Sequence, residues 1–225
     1  MTKDEFYELI KKNFKIIISE EQKEKLSKYF ELLEKENQKY NLTRIILEED
    51  VYLKHFYDSL TPLLVFDFNK VKTLIDVGSG AGFPGVILKI FYPHLNVTLV
   101  DSTLKKVKFL NFVIKKLNLI NCKAVWERAE KLKMEGDAVI LRAVGSISYV
   151  AEITNKLTRK YLILMRGEEE IISENMLKEL NYQVINKVKI NLPKENSRRT
   201  ILVFEKVKTN NRYPRKISVI KKSLL

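Results

Sequence analysis

Apolar residues recur along the chain in two rhythms, and the change between them divides it. Over the first 66 residues the rhythm is helical: Leu26, Tyr29, Phe30, Leu33 and Tyr40 recur close to every 3.6 positions, which gathers them on one helix face. Thr2 with Glu5 and Ser19 with Gln22 have the spacing of capping boxes, in which each partner satisfies a backbone N–H left open at a helix start. Val51, His55, Phe56 and the run LTPLLVF extend this pattern. From about Val71 short branched-apolar runs alternate with amphipathic ones, the texture of a parallel sheet covered by helices. Seven strands are expected: KTLIDV (72–77), NVTLVD (96–101), CKAVW (122–126), DAVILR (137–142), KYLILM (160–165), YQVINKVKI (182–190) and RRTILVFEK (198–206). Helical patterns separate the first five and precede the sixth; the clearest has Leu104, Val107, Leu110, Ile114 and Leu117 on one face. Only NLPKEN joins the last two strands, a connection short enough for an antiparallel hairpin at a sheet edge. The expected fold is therefore α/β and Rossmann-like: a seven-stranded, mostly parallel sheet with a terminal antiparallel hairpin and an N-terminal helical extension. The division reads as a helical cap over residues 1–70, a sheet domain over 71–207, and a basic tail over 208–225 that carries Arg212, Arg215, Lys216, Lys221 and Lys222.

Composition narrows this picture little. With 45% apolar residues and only 7 glycines and 5 prolines in 225 residues, the chain reads as globular rather than disordered. It has no apolar run of the roughly 18 residues that a membrane span needs, and MTKDEFYELI lacks the apolar centre of a secretory signal, so a cytoplasmic protein is expected. The single cysteine, Cys122, rules out an intramolecular disulfide and a multi-cysteine metal site; within CKAVW it reads as a small buried hydrophobe, and no metal is expected. Forty-one Lys and Arg against 28 Asp and Glu leave +13, which favours a polyanionic partner such as nucleic acid. Charge alone does not separate that reading from a solvated lysine surface.

The chemistry is concentrated in Asp76-Val77-Gly78-Ser79-Gly80-Ala81-Gly82-Phe83-Pro84-Gly85, between the first strand and the helical run VILKIF. A chain that turns sharply from strand to helix while a ligand approaches its backbone needs positive φ and no Cβ, which glycine alone combines, here at Gly78 and Gly80, with Gly82 as a third candidate. Dinucleotide-binding and P-loop proteins place a glycine turn in the same position. Three details argue against both. The segment lacks the Gly-Lys-Ser/Thr ending of a P-loop, and Phe83 stands where the third glycine of a dinucleotide motif belongs. Asp76, two residues before the first glycine, suits a cationic ligand without phosphates, which S-adenosylmethionine is. Asp101 ends the second strand nineteen residues after Gly82, where an acid can accept hydrogen bonds from ribose hydroxyls. Together these features point to a class I methyltransferase.

Around this motif the sequence resembles the bacterial glucose-inhibited division protein B family, small-subunit ribosomal RNA guanine-N7 methyltransferases. The resemblance spans nearly the whole chain through NQKYNLTRI (37–45), LKHFYDSL (53–60), DVGSGAGFPG, VDSTLKKVKFL, RAE (128–130), LRAVGS (141–146), MRGE and RRTILVFEK. YNLT and HFYDS carry more specificity than the glycines. The resemblance implies methyl transfer from S-adenosylmethionine to N7 of one guanine in 16S rRNA of the 30S subunit or an assembly intermediate. Carried over by position, Gly78 and Phe83 line the methionine and adenosine side, Ala129 and Glu130 meet the adenine, and Arg142 completes the pocket. Two positions depart from the pattern: Arg166 precedes Gly167 where many members have lysine, and Gly145 stands where alanine is common.

Guanine N7 presents an unprotonated lone pair at neutral pH, so attack on a sulfonium methyl needs alignment and no general base. Arg142 is the candidate to reach guanine O6, and Asp58 the carboxylate to balance the cationic product. Tyr40, Asn41, Thr43 and His55 are expected to shape the target pocket, with Arg166, Arg198 and Arg199 as rRNA contacts; packing competes as the role of Tyr40 and His55. Lys105, Lys106, Lys108, Lys115 and Lys116 could meet phosphates or only solvent. A monomer is expected. Two other readings stay open: a methyltransferase of a protein or small molecule, and an rRNA-binding assembly factor that retains a cofactor pocket without turnover.

Overall fold

The computed structural model describes residues 1–167, 170–220 and 222–225. Glu168 of the MRGE motif and Lys221 of the tail thus lie outside the described residues. Two capped helices open the chain, α1 (Lys3–Phe14) and α2 (Glu20–Tyr40), and both predicted capping boxes are formed. Asn41 ends α2 in the left-handed conformation. Next comes one continuous helical stretch of changing pitch: α3 (Glu48–Asp50), a π-helical segment (Val51–Tyr57), α4 (Asp58–Leu60) and a 3₁₀ turn (Thr61–Leu64). The apolar period announced a helix there but not its widened middle.

The seven strands are β1 (Thr73–Val77), β2 (Asn96–Asp101), β3 (Cys122–Trp126), β4 (Gly136–Arg142), β5 (Thr158–Arg166), β6 (Tyr182–Asn191) and β7 (Arg198–Lys206). Their order is β3-β2-β1-β4-β5-β7-β6. The first five pair in parallel, and β7 runs antiparallel to both β5 and β6. Helices α5 (Gly85–Phe91), α6 (Leu104–Lys116), α7 (Ile147–Ile153) and α8 (Glu174–Leu180) make the crossovers. One expected helix is missing. Between β3 and β4 the chain makes only a 3₁₀ turn, Ala129–Lys131, because the connection is too short for a helix to pack back on the sheet.

Strand alternation assigns the two faces. Leu74, Leu99, Ile140 and Ile163 pack with residues of α1, α2, the π segment, α5 and α6 in one core. Ile75, Val77, Val139, Leu141 and Leu164 pack with α7 and α8 in the other. The N-terminal 70 residues therefore share a core with the sheet, as a layer over it. The C-terminal segment is docked in the same way. Tyr213 and Ile220 are buried in the second core, and Arg215 places two guanidinium nitrogens on the fully buried Glu152 of α7, each at 2.7 Å. Arg215, counted above among the basic tail residues, has its charge matched by this carboxylate.

The chain starts its sheet in the middle, runs outward through β2 to β3, then crosses back to β4. The loops after β1 and β4 consequently diverge to opposite sides and leave a crevice at the carboxyl edge, the usual ligand position in such sheets. Tyr29 of α2 fixes one wall of it: its buried hydroxyl donates to the Ala81 carbonyl of the glycine loop, and its ring stacks on Phe56 at 5.6 Å.

Tyr29→Phe keeps the ring but leaves the Ala81 carbonyl without its donor. It should lower unfolding free energy by about 1–3 kcal/mol, seen as a lower urea midpoint at unchanged denaturant slope. Arg215→Ala strands a buried carboxylate and should cost ~3 kcal/mol in the same measurement, whereas a freely solvated tail residue would cost nothing measurable.

Candidate functional site

Gly78 follows β1 with φ +73°, and a Cβ there would meet Val144 Cγ2 at 2.7 Å, so the two loops of the crevice touch across it. Gly80 has φ +61°, and its N–H donates to Asp101 Oδ2 at 3.0 Å. The other oxygen of Asp101 accepts from Thr103 N–H at 2.8 Å. A cavity of about 340 Å³ opens beside these groups, bounded by Gly78, Asp101, Ala129, Glu130, Arg142 and Tyr149. Ala129 and Glu130 open a 3₁₀ turn, where the first backbone N–H groups lack intrahelical partners and face outward. The predicted residues Gly78, Asp101, Ala129, Glu130 and Arg142 thus line one space.

Asp76 does not line it. Alternation along β1 sends its side chain to the face shared with Leu74, under α2 and α5, where it is fully buried. Its Oδ2 accepts from Ser79 Oγ at 2.7 Å and from Gly85 N–H at 2.9 Å. It therefore ties both ends of the glycine loop together, and burial pushes its carboxyl up to about 6 against the pull of these two donors. Its other oxygen, Oδ1, is buried without a partner.

Phe83 is also withheld from this cavity. It stacks on His55, with centroids 4.3 Å apart and planes at 13°, and the Arg142 guanidinium lies 5.3 Å from its ring centre. Arg142 is the junction of the site. Its Nη1 donates to the Lys54 carbonyl at 3.1 Å and to Asp58 Oδ2 at 3.2 Å; its Nη2 lies 3.2 Å from His55 Nδ1. A guanidinium only donates, so Nδ1 is the accepting nitrogen and the His55 proton sits on Nε2, which meets Thr43 Oγ1 at 2.9 Å. Burial, and then the Arg142 charge, push the imidazole down to about 3. His55 is neutral and both of its nitrogens are engaged. Burial also lowers the Arg142 guanidinium from its ordinary value, opposed by the charges of Asp58 and Asp76.

Asp58 holds a second arginine, since its Oδ1 accepts from Arg199 Nε at 3.1 Å. With both oxygens in ion pairs, it fixes the two guanidinium groups. Arg142, Asp58 and Arg199, with His55, Ile45, Met165 and Arg166, border a second cavity of about 520 Å³ that shares Arg142 and Ala143 with the first. Arg166 is engaged as well: its guanidinium donates to the Val144 carbonyl at 2.9 Å and the Gly145 carbonyl at 2.6 Å and pairs with Glu170. Glu170 in turn accepts from Ile147 N–H at the start of α7 at 2.9 Å. This clamp steadies the loop in which Ala143 and Gly145 have φ +55° and +47°. Arg198 is exposed beyond both cavities.

The YNLT segment acts indirectly. Asn37 Oδ1 accepts from Leu42 and Thr43 N–H at 2.7 and 2.9 Å, which sets Thr43 against His55. Tyr40 packs on the core and Asn41 caps α2; neither borders either cavity. Sequence reasoning missed Lys54, whose backbone carbonyl receives Arg142 and whose ammonium pairs with Asp50 at 2.9 Å and Glu195 at 2.8 Å. Its spacing to Asp50, one helical turn before it, was the available signal for the ion pair. Among the described residues no group of three His, Cys, Asp or Glu is placed to hold a metal ion.

Comparison with known proteins agrees with this geometry. The family model described as rRNA small subunit methyltransferase G matches residues 22–202. A ribosomal RNA small subunit methyltransferase G of Macrococcus caseolyticus is 43% identical, covering 88% of this chain and 89% of its own. One from Lysinibacillus sphaericus is 40% identical over 99% of both chains. Among solved structures, magnesium protoporphyrin IX methyltransferase from Synechocystis PCC 6803 with bound SAM superposes with TM-score 0.58 at 15% identity, over 85% of this chain and 99% of that one, a likeness of fold.

Unfolded, His55 takes up a proton near pH 6.5; folded, it stays neutral to about 3. Its contribution to stability is complete above pH 6.5 and falls as pH drops toward 3, by a few kcal/mol in all. Asp76, raised to about 6, acts in the opposite sense between pH 6 and 4, so the informative readout is a difference. His55→Gln should lose less stability than wild type between pH 6.5 and 4 in urea titrations, and parallel profiles would contradict a buried neutral imidazole.

Proposed function

Because the chain belongs to the rRNA small subunit methyltransferase G family, we propose that it methylates N7 of a guanine in 16S rRNA, using S-adenosylmethionine bound in the cavity beside Gly78 and Asp101. The observation that carries the choice of atom is the wall shared by the two cavities. It presents Arg142, a donor, and next to it a neutral His55 with both nitrogens already bonded. No unengaged base stands there among the described residues. Amine and hydroxyl nucleophiles must lose a proton in the course of transfer and benefit from such a base; the N7 lone pair does not.

The first cavity fits the methyl donor. Asp101 and the 3₁₀ turn at Ala129 and Glu130 offer acceptor and donor positions in its lining, and a side chain at Gly78 would close the approach to the loop. The buried, unpartnered Asp76 Oδ1 beneath the loop adds negative field under a ligand that carries an ammonium and a sulfonium. When bound, S-adenosylmethionine supplies an electrophilic methyl group. The chain's own residues do the rest. Arg142, locked by the Lys54 carbonyl and Asp58, meets guanine O6, while Ile45 and Met165 give the second cavity apolar walls for a base. Because Arg142 lies in both cavities, one side chain sets the position of acceptor and donor together, and alignment is the main source of rate.

In this reading Asp58 positions Arg142 and Arg199, and charge on the methylated ring is balanced by the summed field of the site. A carboxylate already shared by two guanidinium groups has little left to offer a third cation. The acceptor being 30S subunit or free rRNA follows from recognition outside these cavities, and a protein or small-molecule acceptor is the competing outcome of the assay.

Purified protein with 30S subunits from cells lacking this activity should incorporate methyl from labelled S-adenosylmethionine. Borohydride and aniline cleavage with primer extension should then stop at one guanine. Arg142→Ala should reduce the rate by about 10²-fold or more with the fold retained. Label appearing only in protein or in small acceptors would overturn the assignment.

A further inference from the structure

A third cavity continues the line of the first two. It is a groove of about 960 Å³ between the end of β5 at Gly167 and the β6–β7 hairpin. It shares Gly167, Ser197 and Arg199 with the second cavity and no residue with the first. The spatial order is therefore cofactor cavity, base cavity, groove. Parallel β5 ends and antiparallel β7 begins at this same edge, since Arg166 pairs with Thr200, so the hairpin tip overhangs the carboxyl edge of the sheet.

The groove is a preformed surface. Leu192 is buried at the tip and donates its N–H to the Ser197 carbonyl at 3.0 Å. Lys194 pairs with Glu5 of α1, and Glu195 with Lys54 of the π segment. Its lining is rich in donors, with Asn191, Asn196, Ser197, Arg198 and Arg199, and none of the described lining residues is a carboxylate. Such a surface matches phosphate and ribose oxygens.

Resting on the rRNA methylation reading, we propose that this groove holds the sugar-phosphate backbone of the single-stranded RNA adjoining the target guanine. The strand reaches the site past the β6–β7 hairpin, and the lysine face of α6 lies off its path. Geometry forces a choice between these two routes. A guanine seated in the second cavity leaves its ribose at a mouth of that cavity, and the chain must continue through space contiguous with it. The groove is contiguous. The exposed Lys105 and Lys108 of α6 flank β2 and β3, on the far side of the cofactor cavity. An N7 accessible to an in-line methyl also requires an unstacked base, which an unpaired strand laid in a groove provides.

Two variants of equal charge change separate the routes: Arg198→Gln in the groove and Lys105→Gln on α6. Each is made in the full chain and assayed on unmethylated 30S subunits at several salt concentrations, alongside S-adenosylhomocysteine binding. The groove variant should raise KM for 30S about fivefold and reduce the salt dependence of binding by about 0.7 in log–log slope. Its kcat and S-adenosylhomocysteine affinity should stay within about twofold, and the α6 variant should change KM by less than about twofold. Equal effects from both variants, or the larger one from α6, overturn the groove. So does an unchanged KM in the groove variant while wild type methylates normally, and this leaves the rRNA reading intact. Absence of RNA methylation by wild type overturns that reading, and the groove with it.

Discussion

A half-buried guanidinium in the seam between two cavities has to be held by acceptors, and the helical layer over the sheet supplies them for Arg142. Burial alone would disfavour the charge. Asp58 provides the counter-ion, the Lys54 carbonyl a neutral acceptor, and His55 an imidazole nitrogen kept unprotonated. All three lie in or beside the π-helical segment Val51–Tyr57. In a regular α-helix the Lys54 carbonyl would be committed to the helix ladder; the changed pitch accompanies its use by a residue from another element, and π segments frequently mark functional sites. Thr43 then holds His55, and Asn37 holds Thr43. The arginine's support thus runs back into α2, which explains why a methyltransferase sheet carries an N-terminal layer merged with its core.

The sheet was legible because its signal is local. All seven strands stand where branched-apolar runs predict them, with ends moved by a few residues, and the NLPKEN connection correctly places a hairpin at the edge. The π segment was not legible, because the apolar positions of 51–57 satisfy a helical period whichever carbonyl each N–H selects. The helix expected between β3 and β4 failed for the opposite reason, since length overrode pattern. Basic residues near the C-terminus read as a tail because charge suggests solvent, yet Tyr213, Ile220 and the buried Glu152 draw that segment onto α7. The signal was the acid, which lies more than sixty residues away in sequence and becomes a partner only in space.

The candidate site shows the same limit. The structure brings some of the candidate residues together and not others, and this depends on which face each strand position occupies. Asp76 and Asp101 are both acids at strand ends. One turns under the loop and ties Ser79 to Gly85, while the other borders the cavity. Tyr40 and Thr43 are three residues apart in one motif. Thr43 reaches His55, and Tyr40 faces the core. Arg142, Arg166 and Arg199 look equivalent as sequence. Arg166 closes the β4 loop and Arg199 is paired with Asp58, which leaves Arg142 as the cation common to both cavities.

The net charge of +13 takes on a more specific meaning once these pairings are removed from it. Arg142, Arg166, Arg199, Arg215 and Lys54 all have carboxylate partners and contribute order more than field. A polyanion in solution is drawn by cations that are not already balanced, and their distribution matters more than their sum. A long-range excess on α6 and elsewhere would raise encounter rates with any RNA. On the proposed reading, only cations contiguous with the second cavity can fix the register of a particular strand, because one nucleotide of displacement moves the target atom by several ångströms and destroys in-line attack. Affinity and alignment therefore place different demands on the same surface, and the rigid, pinned hairpin beside Arg199 meets the second demand in a way that a solvated helix face does not.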